Sequence, residues 1–293
     1  MDYKLLHELS FIERDSVFKY QAGINFDKFS NRLGKIEQDP FVGFAGTDYE
    51  KSDIKVLFLG KSNAESAPAH HVIDRQINSA LNSFKESENS YRNYANRYLE
   101  AMPRWNIMRF VTEFRNQTGL KLNQIAYANI VPWRYIGAPN NTAYRVAFQF
   151  FTNNLIKAME PDLIIPLGSK LNNIINKNLV TDPNNHTIHI SEGINREGRD
   201  KRIAESGWRT ISEAVTNYEL LKKYPGITKN ALVWVKKNSW YGTSHYISAT
   251  NTAIKAHKSI IEKGIDPDSD HYYLLLDGII EKLCPEINVS LGR

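Results

Sequence analysis

A short polar stretch follows directly after an apolar run near the start of the chain. The run is Val56–Leu59, and residues 60–65 read GKSNAE. The Gly-Lys-Ser triplet matches the end of a phosphate-binding loop, whose first glycine must stand five positions before the second. That position holds Lys55, and the residues between have the continuous hydrophobicity of a buried strand. A nucleotide-binding P-loop enzyme is therefore disfavoured, although it stays open as an alternative.

Other polar side chains have the chemistry of recognition and proton transfer. Asn129 carries a carboxamide, which presents a donor and an acceptor side by side. His245 carries an imidazole, which donates or accepts a proton near neutral pH. Ser62, Asn63 and Glu65 offer a hydroxyl, an amide and a carboxylate that can each hold a water molecule. The structural alternatives are a strand-end hydrogen bond for Asn129 and a helix N-cap for Ser62 or Asn63.

Four apolar runs predict the strands that must position these side chains. Their hydrophobicity is typical of parallel strands that are covered on both faces. The runs are Val56–Leu59, Ile125–Val131, Leu163–Leu167 and Ala231–Val235, the last continuing towards Ile247. Segments of helical period stand between and after them: Val72–Leu99, Trp105–Arg115, Thr142–Met159, Leu171–Asn178 and Ile254–Lys263. The alternation predicts an α/β fold, with three α/β/α layers around a central, mostly parallel four-stranded sheet.

The same pattern predicts one domain over residues 1–293, with its core at 54–262. Residues 1–50 form a helical leader that includes a Gly-rich turn, FVGFAG, and residues 264–293 form a C-terminal helical segment. Residues 180–230 interrupt the alternation and are interpreted as an insertion. Ligands of open α/β sheets lie beyond the carboxyl ends of the strands, so the residues after each run are the candidates for a site.

Composition excludes several classes of protein. The single cysteine, Cys284, rules out an internal disulfide framework, a cysteine-based zinc cage and a protein-bound iron–sulfur cluster. No stretch approaches the roughly 18 apolar residues of a membrane helix, and residues 1–15 are too charged for a signal peptide. We therefore expect a cytoplasmic protein with no membrane, metal or cofactor partner. The net charge of +5 permits a polyanionic partner.

The four predicted strand ends, taken in order, resemble the motifs of the uracil-DNA glycosylase superfamily. Those motifs are a Gly-x-(Asp/Asn/Ala)-Pro turn, an Asn in the second strand, a Pro-x-x-Ile-x-x-Leu-Gly strand and a His-Pro-Ser loop. The matching segments are KVLFLGKSNAE at 55–65, IAYANIVPWR at 125–134, PDLIIPLGSK at 161–170 and WYGTSHYIS at 240–248. The resemblance covers roughly the core and implies the fold of that family, in a divergent member without an iron–sulfur cluster.

The resemblance also implies catalytic roles. A DNA glycosylase extrudes the target nucleotide and cleaves its sugar–base bond through an oxocarbenium-like sugar. The residues that match the water-holding turn are Ser62, Asn63 and Glu65. His245 matches the residue that stabilises charge on the departing base. Two other histidines compete for that role, His186 and His189.

The remaining matches concern binding. Gly60, Asn129 and Trp133 are the candidates for binding the base, with Asn129 reading its edge. The stacking partner is not assigned, and His70, His71 and Trp133 are its candidates. Tyr246 or Ile247 is the candidate wedge in the vacated stack. The candidates for DNA contact are Lys61, Arg134, Lys170, Tyr246 and Ser248, together with the basic run Arg196, Arg199, Lys201 and Arg202, whose alternative is a solvated loop.

These matches predict a DNA glycosylase that acts as a monomer on double- or single-stranded DNA, in repair or in defence against phage. Three positions depart from the motifs: Ser62 replaces Asp or Asn, Asn63 replaces Pro, and Tyr246 follows the histidine in place of Pro. The small residues Ser62 and Ala64 leave room for a base larger than uracil, such as a hypermodified phage cytosine. The alternative is a glycosylase-like protein that binds nucleic acid without catalysis.

Overall fold

The computed structural model describes residues 1–20, 39–63, 71–105, 107–134, 139–168, 171–180, 187–194 and 205–290. Contacts within the chain divide it into two units, Met1–Lys223 and Tyr224–Arg293. The single domain over residues 1–293 stays a prediction.

Five strands form one sheet among the described residues of the first unit. They are β1 (Phe44–Ala45), β2 (Val56–Asn63), β3 (Ile125–Arg134), β4 (Leu163–Pro166) and β5 (His189–Ile190). The order across the sheet is β1-β3-β2-β4-β5. β1 runs antiparallel to β3, and the other neighbouring pairs run parallel. The predicted α/β class and the mostly parallel sheet are therefore confirmed.

Helices stand before, between and after the strands along the chain, as the hydrophobic periodicity predicts. Those described in the first unit are α1 (Tyr3–Leu9), α2 (Arg14–Tyr20), α3 (His71–Glu86), α4 (Tyr91–Ala101), α5 (Met108–Thr118), α6 (Asn141–Ala147), α7 (Asn153–Met159), α8 (Leu171–Asn178) and α9 (Glu205–Lys223). A π-helical segment, Phe148–Thr152, joins α6 to α7. Helix α4 buries Tyr91, Tyr94, Ala95 and Tyr98, which recur every three or four residues and so form one apolar face.

Three of the four predicted strands are present, and two of them are longer than predicted. Val56–Leu59 is fully buried, as expected for a parallel strand covered on both faces. β2 continues through Gly60–Asn63 because Ser62 pairs with Val131 and Asn63 pairs with Arg134. Gly60–Asn63 are therefore strand residues, and the prediction that they form a turn is wrong.

The fourth predicted strand is wrong. Ala231–Val235 lies inside a helix, Lys229–Lys237, whose N-cap Thr228 accepts a hydrogen bond from the Ala231 N–H. Within the run Leu232 and Val235 are buried while Val233 is 65% exposed, a helical spacing. A short apolar run does not separate a strand from a helix. The capping Thr and the two C-terminal lysines of the helix are the local signals that do.

The place of the fourth parallel strand is taken by β5, which lies inside the predicted insertion. It pairs with β4 through Leu163↔His189 and Ile164↔Ile190. The N–H groups of Ser191 and Ile194 donate to the Ile164 and Pro166 carbonyls, so the chain follows β4 beyond the two strand residues. The sheet consequently has five strands rather than four.

The edge of the sheet beside β3 is covered by the leader. Phe44–Ala45, predicted to lie in a Gly-rich turn, forms β1. Tyrosine hydroxyls of α4 accept hydrogen bonds from the backbone N–H groups of Val42 and Ala45. Gly43 has φ +72°, and a Cβ there would lie 2.9 Å from the Ala128 Cβ. Only glycine satisfies both conditions, so this residue lets the leader approach β3 closely.

The second unit is helical in its described part. Its helices are α10 (Lys229–Lys237), α11 (Ile247–Glu262), α12 (Asp270–Leu283) and α13 (Pro285–Ser290), with a 3₁₀ turn at Ser244–Tyr246. Ser269 caps α12 by accepting a hydrogen bond from the Tyr272 N–H. Across the described residues of both units, no helix combines the length and apolar character needed to cross a membrane.

Candidate functional site

The strand order creates a switch point between β2 and β4. The parallel strands follow one another in the chain as β2, β3, β4 and β5, but lie in space as β3-β2-β4-β5. From β2 the chain first adds a strand on one side and then returns to the other side. In open α/β sheets the crevice for the ligand opens at this point, beyond the carboxyl ends of the two strands. Gly60, Lys61 and Ser62 end β2 there, and Leu167 and Gly168 follow β4.

One face of this edge carries a buried polar pair. Asn129 stands beside Gly60 in the register of β3 and β2, and it is 1% exposed. The Tyr127 hydroxyl donates a hydrogen bond of 2.9 Å to the Asn129 Oδ1 atom. A Cβ on Gly60 would overlap that Oδ1 and lie 2.7 Å from the Tyr127 Oη. Glycine is therefore required here because the amide and the hydroxyl occupy the space of a side chain.

Ser62 shares the face of this pair. Paired residues of parallel strands point to the same side, and alternate residues along a strand share a face. Gly60 pairs with Asn129 and Ser62 pairs with Val131, so the Ser62 hydroxyl lies on the same side of the sheet as the Asn129 amide. Both Lys61 and Ser62 are half-buried. The structure thus brings together Gly60, Ser62 and Asn129 from the predicted site.

Lys61 lies on the opposite face, towards β4. A Cβ on Gly168 would stand 2.8 Å from the Lys61 Cε, which shows that the aliphatic stem of Lys61 runs over this glycine. A Cβ on Gly193 would overlap the Gly168 carbonyl oxygen. Two glycines therefore allow the segments that follow β4 and β5 to approach each other and the lysine closely.

Tyr127 and the neighbouring Trp105 are not among the site residues predicted from the sequence. The Tyr127 ring lies 5.4 Å from the ring of Trp105, at 56° between their planes. Trp105 is half-buried, whereas its other neighbours Phe44 and Tyr98 are buried. The spacing Tyr127-x-Asn129 on a strand is the signal that places the hydroxyl on the face of the amide. No local signal relates Trp105 to β3, because the contact is made across the fold.

Trp133 is a core residue. It is completely buried, and its Nε1–H donates to the Ile12 carbonyl oxygen at 3.0 Å. Its ring packs edge-on against Phe18 at 5.7 Å and against Phe151 at 5.8 Å. These contacts assign Trp133 to the packing of the leader against the sheet, which differs from the base-binding position predicted for it.

His189 lies away from the carboxyl edge. It pairs with Leu163, the first residue of β4, and it is 3% exposed. The end of β5 instead leads to Ser191, which is 1% exposed, and to Glu192, whose backbone N–H donates to the Glu213 Oε2. Of the two histidines that compete with His245 in the sequence, His189 therefore lies at the opposite end of the sheet from the predicted site.

The fourth motif belongs to the second unit. His245 is exposed in the 3₁₀ turn before α11, and its ring lies edge-on to Tyr246 at 4.6 Å. Ile247 and Ser248 begin α11 and are also exposed. Because Ala231–Val235 is helical, this segment does not follow a strand of the sheet, contrary to the prediction. The catalytic role of His245 stays a prediction.

Several predicted residues lie outside the described part of the chain: Ala64, Glu65, His70, Lys170, His186, Arg196, Arg199, Lys201 and Arg202. Asn63 and Arg134 end β2 and β3, and His71 begins α3, but only their backbone is described. The loop positions predicted for water activation and for much of the DNA contact are therefore not assigned by the geometry.

The P-loop alternative conflicts with the fold. Residues 56–63, which include the Gly-Lys-Ser triplet, form one continuous strand, so no loop precedes the triplet to surround a phosphate. Among the described residues, no group of three or more His, Cys, Asp or Glu side chains is placed to hold a metal ion.

A comparison of the chain with protein-family models finds no match. A comparison with curated proteins finds no match either.

Proposed function

We propose that the protein is a DNA glycosylase that excises a uracil-like or modified pyrimidine and leaves an abasic site. The observation that carries the proposal is the Asn129 amide of β3, which accepts a hydrogen bond from the Tyr127 hydroxyl and stands beside Gly60 of β2, one of the two strands that border the switch point. A carboxamide offers a paired donor and acceptor, which is the pattern needed to read the edge of a pyrimidine. The motif resemblance in β2, β3 and β4 supports the same assignment.

The side chains beside Asn129 suit the remaining tasks of such a site. Gly60 has no side chain, which leaves the space beside β2 to the Asn129 amide and the Tyr127 hydroxyl. Ser62 lies on the same face and can orient a water molecule, although its hydroxyl is a weak base. Trp105 is half-buried beside Tyr127, and we add it to His70 and His71 as a candidate for the stacking role.

Access to the amide imposes a condition on the mechanism. Because Asn129 is 1% exposed, a base reaches its amide only after the carboxyl edge of the sheet opens. Extrusion of a nucleotide already costs a few kcal/mol of unstacking. Binding energy from DNA backbone contacts must therefore offset both costs, and affinity should fall steeply with added salt.

A second candidate is a protein with this fold that binds nucleic acid without cleaving it. Two observations favour it: Ser62 stands where the family places a water-activating Asp or Asn, and Asn129 is buried in a hydrogen bond within the protein. For such a protein Asn129 would be a structural residue of the strand end.

Base release separates the two candidates. The full-length protein is incubated with uracil-containing oligonucleotides, single- and double-stranded, and with phage DNA that carries modified cytosines. Free base is measured by mass spectrometry and abasic sites by alkaline cleavage. We expect release from at least one substrate, reduced at least about 100-fold in Asn129→Ala, because the transition state loses a paired hydrogen-bonding contact.

Asn153→Ala is the matched control. Asn153 is a half-buried amide of the first unit, and its Nδ2 donates a hydrogen bond to the Phe148 carbonyl oxygen. It should lower stability without lowering base release per folded molecule. Binding of DNA with no release from any substrate, and equal binding by Asn129→Ala, would contradict the glycosylase and support the binding protein.

A further inference from the structure

The second unit contains a cavity lined by its own residues. Its volume is about 380 Å³, within the range of small-molecule sites. Five aromatic side chains line it: Tyr224, Trp234, Tyr241, Tyr272 and Tyr273. Trp234 comes from α10, and the last two come from α12. The polar members of the lining include Thr228 and His257.

The rings surround the cavity from several directions. Trp234 meets Tyr241 at 5.3 Å and 74°, and it lies 6.4 Å from Tyr273 at 32°. Tyr273 in turn meets Tyr272 at 4.8 Å and 87°. Two of these three pairs are close to perpendicular and none is parallel, so the rings present both faces and edges, whereas a flat heterocycle requires two parallel faces with a gap between them. The arrangement therefore favours a compact, rounded ligand group.

The electrostatic surroundings of the rings are negative. The Trp234 Nε1–H donates to Asp277 Oδ1 at 2.7 Å, and the Thr228 hydroxyl donates to Asp268 Oδ1 at 2.6 Å. A carboxylate that accepts from an indole N–H raises the electron density of the ring and strengthens its attraction for a cation. Lys237, 3.5 Å from Asp277, offsets part of that charge from the exposed surface.

The lining contains no carboxylate, lysine or arginine side chain. Within residues 224–276, all of which the structure describes, none of the lining residues is Asp, Glu, Lys or Arg. Burial raises the pKa of Tyr272 to about 12. The pKa of Tyr273 is also raised, by burial and then by the charges of Asp268 and Asp266. Both phenols are therefore neutral near pH 7.

We propose that this cavity binds a quaternary ammonium group through the faces of its aromatic side chains. A primary ammonium is strongly hydrated and would lose its water without gaining a carboxylate in the lining. A trimethylammonium group is weakly hydrated, rounded and cationic, and cages of aromatic rings recognise it. The group is carried by small molecules such as choline and by trimethyl-lysine side chains of proteins.

Titration of the full-length protein with matched compounds tests the proposal. The probes are choline, its neutral carbon isostere 3,3-dimethylbutan-1-ol, ethanolamine and uridine. Binding is measured by calorimetry and by NMR of the tryptophan indole signals. We expect saturable binding of choline with a dissociation constant of about 1 mM or tighter. The neutral isostere and ethanolamine should bind at least about tenfold more weakly. A peptide with trimethyl-lysine and its unmodified form distinguish the protein source from the small-molecule source.

Two variants tie the binding to the rings. Tyr273 is half-buried, so Tyr273→Leu should fold while losing at least about fivefold in choline affinity, and Tyr273→Phe should retain it. Asp277→Asn keeps an acceptor for the indole but removes the charge, and it should weaken binding about two- to fivefold. Equal affinity for choline and its isostere, preference for uridine, or no binding of any cation would overturn the proposal.

Discussion

The carboxyl edge of the sheet and the aromatic cavity of the second unit are built by opposite means. At the edge, glycines remove side chains so that backbone and polar groups approach closely, as Gly60 does beneath Asn129. In the cavity, five large rings hold space open. The packing at the edge depends on backbone register, so a single added Cβ would overlap neighbouring groups. The cavity depends on the bulk of its side chains, so the loss of a ring should lower ligand affinity more than the loss of a hydroxyl.

The largest effect on stability should come from adding a carbon at the edge. In Gly60→Ala the new Cβ overlaps the Asn129 Oδ1 and approaches the Tyr127 hydroxyl, and both are buried and bonded to each other. We expect a loss of about 2–3 kcal/mol in the free energy of unfolding, measured by chemical denaturation.

Gly278→Ala in the second unit is the matched control. A Cβ there has no heavy atom within 4 Å, and the residue lies inside α12. The same substitution should therefore stabilise the protein by up to about 1 kcal/mol through helix propensity. If Gly60→Ala were as harmless as Gly278→Ala, the packing described for the edge would be wrong.

Alkaline pH should weaken the cavity through Tyr272. Burial raises its pKa from 10.0 to about 12. Between these values the folded state keeps the proton while the unfolded state loses it, so the contribution is complete below pH 10 and disappears as pH approaches 12. Stability should fall by about 2 kcal/mol over this window.

Tyr272→Phe isolates that contribution. The buried tyrosines of α4, Tyr91 and Tyr94, also have pKa values raised by burial, and they titrate in both proteins. The difference between wild type and Tyr272→Phe in urea unfolding, followed from pH 9 upwards, therefore reports Tyr272 alone. An identical pH dependence in the two proteins would show that this phenol is not desolvated.

The smallest effect should come from the hydroxyl at the edge. Tyr127→Phe removes the donor to the Asn129 Oδ1 and leaves a buried acceptor less satisfied. We expect the free energy of unfolding, measured by thermal denaturation, to fall by about 1 kcal/mol. Base release should decrease by more than the amount of folded protein does. Tyr246→Phe, at a half-buried position of the second unit, should change stability by less than about 0.5 kcal/mol. Equal effects of the two substitutions on stability would contradict the stabilising hydrogen bond assigned to the Tyr127 hydroxyl.

A site residue agrees with its predicted position when that position is set by local sequence patterns, and it differs when contacts with distant parts of the chain set it. Asn129 and Gly60 lie in long strands with strong local patterns, and they are neighbours as predicted. His245 was assigned through a strand, Ala231–Val235, that is a helix, because five apolar residues fit either element. Trp133 was assigned by its place after a strand, and its burial under Phe18 depends on the leader, which no local pattern connects to β3.

The sequence by itself determined the α/β class, the strands β2, β3 and β4, and the exclusion of cysteine-based metal and disulfide chemistry. Continuous apolar runs and residue counts are local properties, so they need no knowledge of partners. Only the tertiary structure decided that two residues, His189 and Ile190, complete the parallel sheet, and that Tyr127 orients Asn129. Strand pairing and ring contacts join residues far apart in the chain, and their energy arises from surfaces that meet only after folding.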